Sequence, residues 1–332
     1  MRRALAPLVF LAACAGGGSS TPAAPAPTAT ILTLTFASLP ALDPVRDGSY
    51  AAWVTDGAQH VYAAGTFVAA PSVSLALPQP IRDGAAIMIT VHRPTDDATQ
   101  PSSQILLSGA IRGGHADLGI AGAVTQAGLP LVASPGQFTI FTPSNNGAEG
   151  YPSEEEAGIW LFNMAPLQTP QRDMWVRLTQ LRSGWVYEEW VVRDINAPAA
   201  VWLSLGKFVP DATGAVNGRD DDGWGPFSGV LDYATETSED FPGSDFISNP
   251  LHLPVPGNLT LPLNLLETVA GVGRWTHVIT IEPAWKRGEP MGAQRPFILR
   301  PYSDPVGASG PGVPRTITLH ADGVVRGSAE LR

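Results

Sequence analysis

Four charged side chains, Glu282, Lys286, Arg287 and Glu289, crowd into one turn of the stretch ITIEPAWKRGEPMGAQRPFILR, from Ile279 to Arg300. Carboxylates beside cations are the raw material of an acid–base site, and nothing else in the chain comes closer to catalytic machinery. An activated serine would need a partner histidine and a positioned acid. There is no G-x-S-x-G elbow, and His60, His92, His115, His252, His277 and His320 are scattered singly. None belongs to an H-E-x-x-H motif or a Cys/His zinc spacing, so they read as solvent-facing or strand-end histidines. Asp220, Asp221 and Asp222, followed by Gly223, offer hard oxygen ligands beside a tight turn and are candidate Ca²⁺ ligands. Their spacing is not that of an EF-hand, and a solvated acidic turn is the stronger reading. The expectation is a non-enzyme.

These residues hang on a chain built for short strands. Thirty-five Gly and 32 Pro against 15% charged residues favour strands and turns over long helices. At 332 residues, the chain has length for two domains. Its net charge of −10 and pI near 5.0 provide no basic footprint, which argues against nucleic acid. Residues 1–13 carry Arg2, Arg3 and an apolar run, and Leu11-Ala12-Ala13-Cys14 resembles the bacterial lipobox. That resemblance implies lipidation of Cys14, the sole cysteine, and an extracytoplasmic, membrane-anchored protein on the periplasmic side. An ordinary secretory signal is the alternative, while ten apolar residues are too few for a membrane span of about 30 Å. Residues 14–30, rich in Gly, Ser, Pro and Ala, read as the lipidated Cys14 and a flexible linker.

Self-comparison reveals a repeat. Tyr50 and Trp53 in GSYAAWVTDG answer Tyr187 and Trp190 in GWVYEEWVVRD. AAGTF ending at Phe67 answers SLGKF ending at Phe208, and LPAL at Leu39 to Leu42 answers LTQL at Leu178 to Leu181. Ala86 to Gly109 answers the stretch ending at Arg300, and Ala110 to Leu118 answers Val324 to Leu331. Segments such as ILTLTF, SVSLAL, IMITV and VITI read as strands, and TITLHADGVVRGSAEL as a hairpin about Asp322-Gly323. The expected fold is all-β, two tandem immunoglobulin-like β-sandwich domains at 31–134 and 135–332.

Leu-Pro-x-Leu, Tyr-x-x-Trp-Val, Ala-Gly-x-Phe and Ile-Thr-Val followed by a Pro-containing loop together resemble the extracytoplasmic C-terminal domain of anti-sigma-K factors. WVYEEWVV and FPGSDF resemble lipoproteins related to that domain. The resemblance implies a fold more than a function, since this chain shows neither a sigma-binding segment nor a membrane helix.

Repeat two carries an acidic-aromatic insertion at about 209–258, with nine Asp and Glu against Arg219, a net −8. Its Trp224, Phe227, Tyr233, Phe241 and Phe246 are candidate partner contacts. Alternation assigns Trp190, the counterpart of Trp53, to the core and leaves Trp185 free for a partner or a sugar ring. Trp285 joins the candidates because the repeat makes Ile279 to Arg300 a strand, a proline-stiffened connection and a strand, with its charges at an exposed loop tip. The functional expectation is a structural subunit docking on an integral-membrane complex, such as a photosynthetic reaction-centre or respiratory assembly. An envelope glycan- or ligand-binding module and an anti-sigma-related sensor domain are the alternatives. No cofactor is expected beyond the lipid on Cys14 and the Ca²⁺ considered above.

Overall fold

The computed structural model describes residues 28–81, 84–93, 95–142, 156–161, 176–210, 212–214, 255–286 and 295–332. Among them the fold is all-β, built of antiparallel sheets, none closed into a barrel. Two four-stranded sheets make up most of the first half. One has the order β4 (Ser72–Ile81), β1 (Ala29–Phe36), β17 (Gly327–Leu331), β7 (His115–Leu118). The other runs β3 (Val61–Phe67), β2 (Ser49–Asp56), β5 (Gly84–His92), β6 (Ile105–Ala110). In β1 the alternation of ILTLTF turns Leu32, Leu34 and Phe36 inward. They meet Tyr50, Ala52, Val54, Ile87, Ile89 and Val91 of the other sheet in one core. The Phe36 and Phe67 rings stack across it at 5.8 Å.

The second half holds the sheet β11 (Val201–Phe208), β10 (Trp185–Arg193), β14 (Trp275–Pro283), β15 (Leu299–Pro305). Beside it lies the small sheet β16 (Arg315–Ile317), β8 (Gly136–Ile140), β9 (Ile159–Trp160). Phe138, Ile140 and Ile317 pack with Tyr187, Val191, Leu203, Leu205, Ile279 and Ile281, and this cluster is continuous with the core of the first half.

The repeat survives as geometry. Tyr50 pairs with Phe67 and Tyr187 with Phe208, and each ring pair stacks at an interplanar angle of 22°. Tyr50 Oη donates to Pro40 O at 2.8 Å, and Tyr187 Oη to Thr179 O at 2.7 Å; each acceptor is the second residue of its Leu-x-x-Leu motif. Both copies bulge just before the tryptophan, where Ala52 faces Gly65 and Glu189 faces Gly206. The glycines have φ of 134° and 116°, which explains why AAGTF and SLGKF share that residue.

One expectation is corrected. The stretch around Asp322-Gly323 is not a hairpin: β16 pairs with β8, whereas β17 pairs with β1 and β7. The turn signal is local, but the strands flanking it are recruited by different sheets. Because β17 lies between β1 and β7, a cut at residues 134/135 would remove a central strand from the first half's sheet.

Candidate functional site

β10 and β14 are buried along both faces, so any polar residue they carry must find a partner inside the protein. On one face, Trp190 Nε1–H donates to Thr280 Oγ1 at 3.0 Å. Thr280 Oγ1–H in turn donates to Glu282 Oε1 at 2.7 Å, which also accepts the Phe297 backbone N–H at 2.7 Å. Repeat one has the same arrangement at Trp53 and Thr90, at 2.8 Å, with His92 Nε2 at 2.9 Å from Thr90 Oγ1 where repeat two has Glu282. His92 stacks on Trp53, and its burial pushes the imidazole pKa down.

From Glu282 the polar chain crosses into the first half. Lys286, in the short turn Ala284–Lys286, is 1% exposed and lies with Nζ 3.8 Å from Glu282 Oε2. That carboxylate oxygen is buried and accepts no hydrogen bond. Lys286 Nζ donates to Asp47 Oδ1 at 2.7 Å. The other Asp47 oxygen accepts from Arg46 Nη2 at 2.9 Å and from the Asp43 N–H at 3.4 Å. Burial alone would raise the Asp47 pKa; hydrogen bonds from Arg46 and Lys286 outweigh it and hold the carboxyl below its usual range. The Phe297 ring closes the site, its centroid 5.5 Å from Nζ.

Two further buried pairs belong to repeat two. Glu188 and Lys207 face each other across β10 and β11 with Nζ and Oε2 at 3.3 Å, and Ser204 Oγ donates to Glu188 Oε1 at 2.7 Å. Glu189 Oε1 lies 2.8 Å from His277 Nε2 on the opposite face, and the His277 ring packs on Phe138 at 4.6 Å. His277 Nδ1 and Trp275 Nε1 are buried without hydrogen-bond partners. The Glu189 carboxylate fixes the orientation of the His277 ring. Among the described residues no group of three His, Cys, Asp or Glu is arranged to hold a metal ion.

The same region seals the two halves together. Trp185 Nε1–H donates to Ile105 O at 3.2 Å, and Gln104 Nε2–H to Gly184 O at 3.1 Å. The Arg182 N–H donates to Val124 O at 2.9 Å, and Tyr302 Oη to Val132 O at 3.0 Å. A Cβ on Gly184 would come within 2.3 Å of Ser103 O, so the close approach requires glycine.

The residues singled out in the sequence fare unevenly. Trp185, expected on an exposed face, is buried at 2% in the main core, because the first half covers that end of β10. Trp190 is buried too, but on the opposite face with Val192 and Val278. Trp285 is half-buried, with the Arg93 guanidinium 5.5 Å from its ring centroid. Glu282 and Lys286, expected at an exposed loop tip, are buried because Asp47 and Phe297 complete their surroundings. His92 and His277 are likewise buried and not solvent-facing. Cys14, Asp220, Asp221, Asp222, Trp224, Phe227, Tyr233, Phe241, Phe246, His252, Arg287 and Glu289 lie outside the described residues.

Asp47, Glu188, Glu189, Lys207 and His277 were missed. Superposing the repeats register by register exposes the last four: Ala51, Ala52, Thr66 and Ile87 in one copy stand where Glu188, Glu189, Lys207 and His277 stand in the other. Opposite charges arising at the paired positions of Glu188 and Lys207 are the signal. Compared with known proteins, the chain matches no protein-family model, no curated sequence and no solved structure.

Proposed function

We propose that this chain is a non-catalytic, lipid-anchored extracytoplasmic protein whose folded body docks on and stabilises an integral-membrane complex, a photosynthetic reaction-centre or respiratory assembly being candidate hosts. On this reading the two halves are immunoglobulin-like sandwiches that arose by duplication of a unit similar to the outer domain of anti-sigma-K factors. The matched Tyr–Phe stacks and Trp–Thr hydrogen bonds support that origin.

The observation that carries the docking role is an uncharged, exposed hairpin tip. The hairpin β12 (Thr268–Val269) and β13 (Val272–Gly273) presents Val269 and Val272 at 58% and 70% exposure. Its base is held by Arg274, which pairs with Asp194 and with Glu267 at 2.8 Å, while Arg193 reaches Glu267 at 3.1 Å. Ala270 sits at φ 52° in the turn, where Asn or Asp would be less strained, and so keeps the tip apolar. A pre-organised apolar knob held by neutralised charges suits a protein groove. The glycan-binding alternative loses Trp185 as a stacking platform.

Extraction of native membranes in mild detergent should bring the protein out with its host complex. A V269E/V272E variant should fold normally and be released alone. A wild-type protein that runs as an isolated monomer under the same extraction would refute the docking role.

A further inference from the structure

We propose that Lys286 and Asp47 become joined by an intramolecular amide bond, with Glu282 relaying the proton. The three groups have the placement such a condensation needs. Lys286 Nζ already touches Asp47 Oδ1 at 2.7 Å, and all three side chains are sequestered from water. Fixed contact supplies the high effective concentration that drives an otherwise slow reaction.

The steps balance within these residues. The ammonium of Lys286 passes one proton to Asp47 Oδ1, leaving an amine and a carboxylic acid. The amine lone pair attacks Asp47 Cγ, forming the C–N bond, and negative charge develops on Oδ2. That oxygen accepts from Arg46 Nη2 and the Asp43 N–H, donors placed as an oxyanion hole. Glu282 Oε2, whose lone pairs are engaged by no hydrogen bond and which lies 3.8 Å from Nζ, takes the second proton from nitrogen. It returns that proton to the Oδ1 hydroxyl, the C–O bond breaks and water leaves. Glu282 is held for this role through its other oxygen by Thr280 and Phe297. The products are an amide, one water and an unchanged Glu282.

The bond would tie residues 239 positions apart and close the two halves on each other. In a chain with one cysteine it does what a disulfide does elsewhere, with no oxidant and no susceptibility to thiols. Repeat one, with His92 at the position of Glu282, has no such relay.

Trypsin digestion of the purified full chain tests this by mass spectrometry. The expected product is a branched peptide joining Asp47–Arg82 to Trp275–Arg287, uncut after Lys286, at a mass about 18 Da below the sum of the two. E282Q should keep its near-ultraviolet circular dichroism yet give the two peptides separately. D47N should still form the bond, losing ammonia, about 17 Da, in place of water. Separate, full-mass peptides from the folded wild type would overturn the proposal and leave an ion pair. A branched peptide from E282Q at wild-type yield would overturn the role of Glu282.

Discussion

Replacing Lys207 by methionine keeps the length and most of the volume of the side chain but removes the charge that faces the Glu188 carboxylate, itself 1% exposed, across β10 and β11. Breaking a buried pair by removing one partner costs about 3–5 kcal/mol, because the remaining charge loses compensation while staying out of water. Ser204 Oγ still donates to Glu188 and offsets part of this, so K207M should lose about 3 kcal/mol. The double variant E188M/K207M removes both charges and both desolvation penalties together. It should return to within about 1.5 kcal/mol of wild type, since buried pairs replaced by apolar isosteres are commonly neutral. Repeat one supports this directly, because it folds the same strand pair with Ala51 and Thr66 at these positions. Urea unfolding followed by tryptophan fluorescence gives the three free energies, and the cycle gives a coupling of at least about 2 kcal/mol. A K207M loss below about 0.5 kcal/mol, or a double variant equal to the sum of the singles, would refute a buried, mutually dependent pair.

Two further outcomes follow from the core. Burial raises the pKa values of Tyr50, Tyr187 and Tyr302 above the ordinary 10.0, with the Asp47 charge adding to Tyr50 and Tyr302 adding to Tyr187. A raised folded pKa contributes stability that is complete below the unfolded value and fades as pH climbs above it. Each of these phenols should therefore remove about 1.4 kcal/mol per pH unit above pH 10. Absorbance at about 295 nm should show them titrating only on unfolding; phenolate formation by all three in folded protein at ordinary pH would contradict this. Gly184→Ala drives a Cβ against Ser103 O, backbone against backbone, and should cost about 1–3 kcal/mol. It should also speed hydrogen exchange at Trp185 and Arg182, and an unchanged exchange pattern would show the seam to be looser than described.

The repeat made much of the skeleton legible, because Tyr, Trp, Phe and Gly recur where a stack, a buried N–H and a bulge recur. What alternation could not supply is what covers each face. It placed Trp185 and Trp190 on opposite faces of β10, correctly, but took one face for solvent; both are buried, one by the first half and one by Val192, Val278 and Trp202. Lys286 and Glu282 were misread for the same reason, since Asp47 is remote in sequence and nothing local announces it. The turn at Asp322-Gly323 was recognised as a turn, but a turn signal says nothing about which sheet each flanking strand joins.

The contrast between the repeats bears on why the buried charges exist. Repeat one shows that the scaffold closes with alanine, threonine and isoleucine at the same positions, so the fold does not require Glu188, Glu189, Lys207 or His277. Burying each of these groups costs desolvation that pairing at best repays. Two of the pairs act within repeat two: Glu188 and Lys207 are opposite charges at facing positions, Glu189 and His277 are polar partners on adjacent strands, and a register that separates either pair is penalised. The third, Lys286 with Asp47, differs in kind, because its partners come from different halves and an unengaged carboxylate oxygen faces the amine. A purely electrostatic clasp would gain from satisfying that oxygen with a donor, as Thr280 and Phe297 satisfy its twin. An oxygen left open beside a lysine suits a group whose task is to accept a proton.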